Sequence, residues 1–207
     1  KKLNGINYGA TFTRYNQISN LTYMFKNGLL FSYGANGNSY VAANGYLPLS
    51  GGFGASAWFI AKPTYGDTPN IISYGPGSTS GGFQIGIEPN GDLYCGISYS
   101  NSWQYFVTNY KIQPYTLYNV ICSASPTNGV VIYVNGMPVY TNSYTGSIET
   151  TPSFICLGTW ACSSQYFNGL ISNVMVFNKF INESLANAIY HTYPKYSIIN
   201  VPLGVYP

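Results

Sequence analysis

An all-β sandwich is the fold this sequence predicts, and three observations carry the prediction. Short runs with alternating apolar residues recur along most of the chain. Turn signals rich in Asn, Gly and Pro separate them at regular intervals. One segment near the C-terminus has helical rather than strand spacing. A chain of 207 residues is long enough for a single sandwich with an extensive core.

The elements follow in order. Residues 1–27 are polar, with a weak alternation around 10–15. A strand at 54–60 ends at Lys62-Pro63, and another at 70–74 precedes a glycine-rich loop, 75–82. Phe83, Ile85 and Ile87 alternate with polar or small neighbours until Pro89-Asn90-Gly91-Asp92 breaks the run. Leu93, Cys95 and Ile97 resume it with the same parity, so the two runs predict a hairpin with one buried face, its turn drawing on the positive φ angles open to Asn-Gly. Strands at 118–124 and 130–134 flank Pro126-Thr127-Asn128-Gly129, and Asn135-Gly136 turns the chain again into 137–140. Runs at 153–158 and 170–177 complete the set. Asn182 is placed to cap a short helix with Glu183 in its first turn; Leu185, Ala188 and Ile189 share a face, and Pro194 stops it. This helix is expected to plug one end of the sandwich. Residues 195–207 form a tail.

Composition narrows the function. Only 6% of residues are charged, against roughly 25% in an average domain. Eight basic residues, scattered apart from Lys1-Lys2, give a net charge of +3 but no stripe for a phosphate backbone, which argues against nucleic acid. With five carboxylates, the fold has little to lose to protonation at low pH. Four cysteines fit an oxidising compartment, and without a Cys-x-x-Cys or Cys/His cluster neither a metal nor another cofactor is expected. No apolar run is long enough to span a bilayer. The chain opens at Lys1 without Met, as a mature secreted protein does. Asn20 and Asn182 head two Asn-x-Ser/Thr sequons that permit N-glycans. An extracellular site, on a cell or virion surface, is the expected location.

Four cysteines allow three pairings. Cys95 and Cys122 have inward parity in successive strands and are expected to meet across neighbouring strands. Cys156 and Cys162 bracket a five-residue loop short enough for a local bridge.

Several stretches resemble the laminin-G-like domains of the concanavalin A-like superfamily. Leu30-Phe31-Ser32 with Asn38-Ser39-Tyr40-Val41 is similar to the opening strand of those domains, and Ser56-Ala57-Trp58-Phe59 to the next. Tyr133-Val134-Asn135-Gly136 looks like the family's hairpin. The stretch from Phe167 to Asn178, with the helix through Tyr190, resembles its closing strand and helix. The resemblance implies two stacked antiparallel sheets in a jelly-roll, spanning 29–194, with 1–28 as an extension. The superfamily contains lectins, adhesion modules, virion parts and glycosidases, so function has to come from the site.

Hydrolysis lacks its residues. A glycosidase needs two carboxylates across the scissile bond, and no Glu-x-Asp-x-Glu run exists; Glu88 and Asp92, the close pair, flank a turn. The single histidine, His191, sits at the helix C-terminus, where the dipole favours an imidazolium. Calcium wants a cluster of oxygen ligands, and Asp67 and Asp92 belong to no dense acidic group. Sugar binding has better candidates: Tyr99, Trp103, Tyr105 and Trp160 lie at loop edges, with Asn101 and Gln104 beside them. Trp58, within a strand, is expected in the core. Assembly has candidates too, because a charge-poor, Tyr-rich surface carries few barriers to self-packing. The extension contains Ala10-Thr11-Phe12-Thr13-Arg14-Tyr15, which would let Phe12 fill a groove on a neighbouring copy, with 195–207 as the rival donor strand. The leading expectation is therefore a non-catalytic structural subunit of a filament, adhesive thread or virion. The composition resembles surface proteins of thermoacidophilic archaea and their viruses. A lectin-like carbohydrate-binding module is the alternative, and a degenerate glycoside hydrolase a distant third. Expected partners are copies of the chain itself and cell-surface glycans.

Overall fold

Fourteen strands and one helix build two facing sheets in a computed structural model, which describes residues 5–13, 28–33, 38–45, 47–63, 67–75, 81–100, 102–150 and 153–192. The strands are β1 (Gly5–Tyr8), β2 (Thr11–Thr13), β3 (Gly28–Phe31), β4 (Tyr40–Gly45), β5 (Phe53–Ala61), β6 (Asn70–Tyr74) and β7 (Phe83–Ile87). They continue with β8 (Asp92–Tyr99), β9 (Ser102–Lys111), β10 (Leu117–Ser125), β11 (Gly129–Val134), β12 (Met137–Asn142), β13 (Ser153–Leu157) and β14 (Gly169–Phe177), followed by α1 (Glu183–Thr192). One sheet runs β1-β4-β13-β6-β7-β8-β9 and the other β12-β11-β10-β5-β14-β3-β2, with every pairing between strands antiparallel.

Parity explains the core. Phe83, Ile85 and Ile87 stand opposite Ile97, Cys95 and Leu93, as the hairpin reading requires, and all six are buried. Its turn differs from the expectation in detail. Gly91 alone takes a left-handed φ (+91°), with its N–H donating to Glu88 O at 2.8 Å, so this is a three-residue loop with a glycine bulge. The Asn135-Gly136 turn does place both residues at positive φ (+52° and +81°). From the facing sheet, Phe53, Ala55, Ala57 and Phe59 of β5 and Val120 and Cys122 of β10 meet this face; Phe53 and Phe83 stack across the interior at 4.7 Å. The Cys95–Cys122 pairing is confirmed, but its geometry is not the expected one. The bridge joins β8 of one sheet to β10 of the other, crossing the core instead of linking neighbouring strands.

Three further expectations need correction. Trp103 and Tyr105, expected at loop edges, stand within the ten-residue strand β9. The helix does not plug an end: Ala186 and Ile189 pack on Ile121 and Tyr133, on the outer face of the second sheet, and Ala188 is exposed. Asn182 caps it, accepting from Leu185 N–H at 3.0 Å. Trp58 is buried as expected, but on this outer face, stacked on Tyr190 at 5.5 Å.

The described part of the N-terminal extension pairs within its own chain. In the single chain β1 pairs with β4, β2 pairs with β3, and Ala10 is buried in the chain's own core. Phe12 stands opposite Leu29 in the β2–β3 ladder. Arg14, Tyr15, Asn20, Pro194 and 195–207 lie outside the described residues. Among the described residues no helix is long and apolar enough to cross a membrane.

Candidate functional site

The outer face of the first sheet is built differently from its inner face. Its floor is small or polar: Ser73, Gln84, Gly96 and Ser98 lie on it and are buried. Gly86 and Gly96 leave the room larger side chains use. A Cβ at Gly86 would run into the Tyr94 ring, and one at Gly96 into the Gln84 side chain and the Tyr105 ring. Tyr105 stands opposite Gly96, with its ring against the space a Cβ there would take, and Trp103 stands opposite Ser98.

A loop crosses this face. Residues 158–168 follow β13 and are fastened by the Cys156–Cys162 disulfide, the second expected bridge, at Cα–Cα 5.4 Å. Ser73 Oγ donates to Thr159 O at 2.9 Å and accepts from Ala161 N–H at 3.3 Å, which pins the loop to β6. Thr159 Oγ1 donates to Ser164 O and Trp160 N–H to the same carbonyl, at 2.6 and 2.8 Å. Ala161, Cys162 and Gln165 all hold left-handed φ angles (+49°, +57° and +51°), each a conformation non-glycine residues adopt only at a cost.

A buried polar network anchors the far side of the loop. Asn70 Nδ2 donates to Gln165 Oε1 at 2.8 Å and to the Tyr94 hydroxyl at 3.2 Å. Tyr94 in turn donates to Gln84 Oε1 at 3.2 Å, and Gln165 Nε2 to Thr68 Oγ1 at 2.7 Å. Burial pushes the Tyr94 phenol well above the ordinary tyrosine range, so it stays a neutral donor to Gln84.

This architecture brings three predicted residues together. Trp160, on the loop, meets Trp103 edge to face at 4.9 Å, and Trp103 is roughly parallel to Tyr105 at 6.4 Å. Tyr105 is 55% exposed, and both tryptophans are half-buried. The rings present faces and edges to solvent from a rigid mount, which is how aromatic side chains cover the apolar face of a ring-shaped ligand. Along β9 the cluster carries no charge until Lys111, eight residues and about 26 Å from Trp103.

The other sugar-contact candidates do not join it. Tyr99 shares the parity of Cys95 and Ile97, faces the core and is 1% exposed, against Phe106 and Tyr144. Gln104 has the parity of buried Phe106, opposite to Trp103, and Asn101 lies outside the described residues. Tyr94, Asn70 and Gln165 support the site and were not singled out from sequence. Among the groups weighed for chemistry, Asp92 is committed to Lys111 at 3.0 Å and accepts from Asn90 Nδ2 at 2.8 Å. It stands at the opposite end of β8 from Ser98. His191 packs on Tyr190 at the end of α1.

Comparison with known proteins agrees with this fold. Solved structures that superpose include the binding domain of botulinum neurotoxin DC in complex with SialylT (TM-score 0.67, 19% identity, 92% of this chain and 46% of that one). The binding domain of Paraclostridial Mosquitocidal Protein 1 gives TM-score 0.69 at 12% identity, covering 92% and 48%. A heptameric pentraxin from Limulus polyphemus gives 0.59 at 15%, covering 81% and 82%. The chain spans about half the length of the toxin binding domains it resembles. At such identities the likeness shows the fold alone. No curated protein sequence matches the chain. Nothing in these likenesses supports the archaeal comparison suggested by composition. A laminin-G family model matches residues 34–184, and the chain belongs to the family it describes, the concanavalin A-like lectin/glucanases superfamily.

Proposed function

We propose that this chain is a secreted, non-catalytic carbohydrate-binding module whose saccharide lies against Trp103, Tyr105 and Trp160. The observation that carries the reading is the convergence of these three rings, from β9 and from the disulfide-fastened loop, on the outer face of the first sheet. The hydrophobic core lies on the other side of this sheet, where Phe83, Ile85, Ile87, Leu93 and Ile97 point inward. Among the described residues, the cation on β9, Lys111, lies eight residues from Trp103 and is paired with Asp92, which favours a neutral, hydroxyl-rich ligand over a phosphate. Two disulfides support an oxidising, extracellular setting. The non-catalytic reading rests on Asp92, which is neutralised by Lys111 and remote from the cluster. The structural-subunit reading has composition behind it, but the binding reading has a built site and takes precedence.

The test is calorimetric titration of soluble neutral oligosaccharides, chosen by screening the full chain on a glycan array. Trp103→Ala or Trp160→Ala should each weaken binding roughly 30-fold, the scale at which a buried aromatic anchor counts. Trp58→Phe should leave affinity unchanged, because Trp58 lies beneath α1 on the other sheet. No saccharide bound by the wild type, or equal affinity in Trp103→Ala, refutes the proposal.

A further inference from the structure

The aromatic cluster has an acidic neighbour across Ser98. Ile148 meets Tyr99 in an isolated antiparallel bridge, and both are buried in the core. Alternation then puts Glu149, the next residue, on the outer face beside Ser98. Two backbone hydrogen bonds fix it there: Glu149 N–H donates to Ser98 O, and Gly82 N–H donates to Glu149 O, each at 3.0 Å. Trp103 flanks Ser98 from the other side, in the β8–β9 ladder. Glu149 and Trp103 thus stand two strand spacings apart, about 10 Å between backbones. The residue between them is small and buried, and its hydroxyl is engaged by Gly81 N–H at 3.1 Å. The carboxylate itself has no partner. Glu149 Oε2 is buried and accepts no hydrogen bond, and among the described residues no cation pairs with the side chain. A shielded, unbonded charge costs stability, and a donor arriving from outside would relieve that cost.

We propose that Glu149 sets the specificity of the Trp103–Tyr105–Trp160 site: its carboxylate accepts from hydroxyls of a neutral sugar unit lying on the rings, and it turns acidic sugars away. The inference rests on the saccharide reading above and adds to it the class of saccharide. An ionised carboxylate is an acceptor with no donor of its own, and its two oxygens suit a pair of adjacent hydroxyls. A hexuronate in the same place would set a second carboxylate against one already short of solvent, with no cation between them. A divalent cation is the other group a lone carboxylate could hold. Such ions want several oxygen ligands, and among the described residues no three acidic, histidine or cysteine side chains gather to supply them.

The test is a glycan array printed with matched pairs, each neutral oligosaccharide beside its hexuronate form, probed with the full chain in the presence of a metal chelator. The wild type should bind neutral members and pass over their hexuronate partners. One such pair is then titrated calorimetrically. Glu149→Gln, which keeps the shape and removes the charge, should weaken the neutral member roughly tenfold and cut the preference over the hexuronate by a similar factor. Glu149→Asp keeps the charge on a shorter arm, so it should lose neutral affinity but still reject the hexuronate. Without saccharide, the Tm of Glu149→Gln should hold or rise, since the variant sheds an unbonded charge. Wild-type neutral affinity in Glu149→Gln overturns the proposal, as does a wild type that takes both members equally or needs calcium to bind. A clear fall in Tm would make Glu149 part of the scaffold and overturn it as well. Trp103→Ala separates this inference from the reading beneath it. Affinity lost in Trp103→Ala but kept in Glu149→Gln leaves the aromatic site standing and removes Glu149 from it. Affinity kept in both, or no binding by the wild type, removes the two together.

Discussion

Replacing Cys95 and Cys122 together by alanine should lower the unfolding free energy by about 3–4 kcal/mol. The bridge closes a loop of 27 residues, for which chain entropy alone gives about 3.6 kcal/mol. Both cysteines are fully buried, and they join the two sheets across the core, so the substitution also leaves space that the surrounding packing must fill. For a chain of this size the loss corresponds to a fall in Tm of roughly 7–14 °C. Scanning calorimetry measures it directly. A shift of a degree or two would mean that burial alone fastens the sheets and the cross-core bridge adds little.

Removing the other bridge should have the opposite signature. Cys156→Ala with Cys162→Ala opens a loop of only six residues, so the chain-entropy loss is smaller, about 2 kcal/mol. Its larger effect falls on ligand binding. Ala161, Cys162 and Gln165 hold left-handed backbone conformations, each costing on the order of 1 kcal/mol or more. Without the covalent tie, the hydrogen bonds from Ser73, Thr159 and Asn70 must carry that cost alone. The conformation that presents Trp160 to Trp103 then becomes a minor population. Apparent affinity falls in proportion to that population, by roughly ten- to a hundredfold. Titrating the saccharide into the double variant, with its Tm measured alongside, separates this from general unfolding. Wild-type affinity in the variant would show that Trp160 needs no fastening.

Much of the fold was legible because it depends on local rules. The β7–β8 hairpin, the Asn135-Gly136 turn and the Asn182 cap are each set by a few adjacent residues, and each stands where the pattern puts it. β9 was not legible for a physical reason. As an edge strand carrying rings on both parities, Trp103 and Tyr105 on one and Phe106 and Tyr110 on the other, it shows no clean apolar alternation. The cysteine pairing was readable from parity, but parity does not say whether two inward residues sit side by side or face to face, and these face each other.

The candidate site divides the same way. Trp103, Tyr105 and Trp160 were visible as residue types. Tyr99 was misplaced although the signal was present, since it continues the inward parity of Cys95 and Ile97. Asn70 joins the outer face opposite Gly86 only because the β6–β7 ladder shifts register between Asn70 and Ile72. No residue pattern announces that shift, nor the partnership of Asn70 with Gln165, which lies 95 positions away.

The central claim, that saccharide binds the Trp103–Tyr105–Trp160 face, is tested most directly by the indole N–H resonances in a heteronuclear NMR titration. The chain has three tryptophans, and only two of them belong to the site. Adding the saccharide should shift the Trp103 and Trp160 signals in proportion to occupancy and leave that of Trp58, stacked beneath α1 on Tyr190, in place. A saccharide that binds while Trp103 and Trp160 stay unmoved would contradict the account.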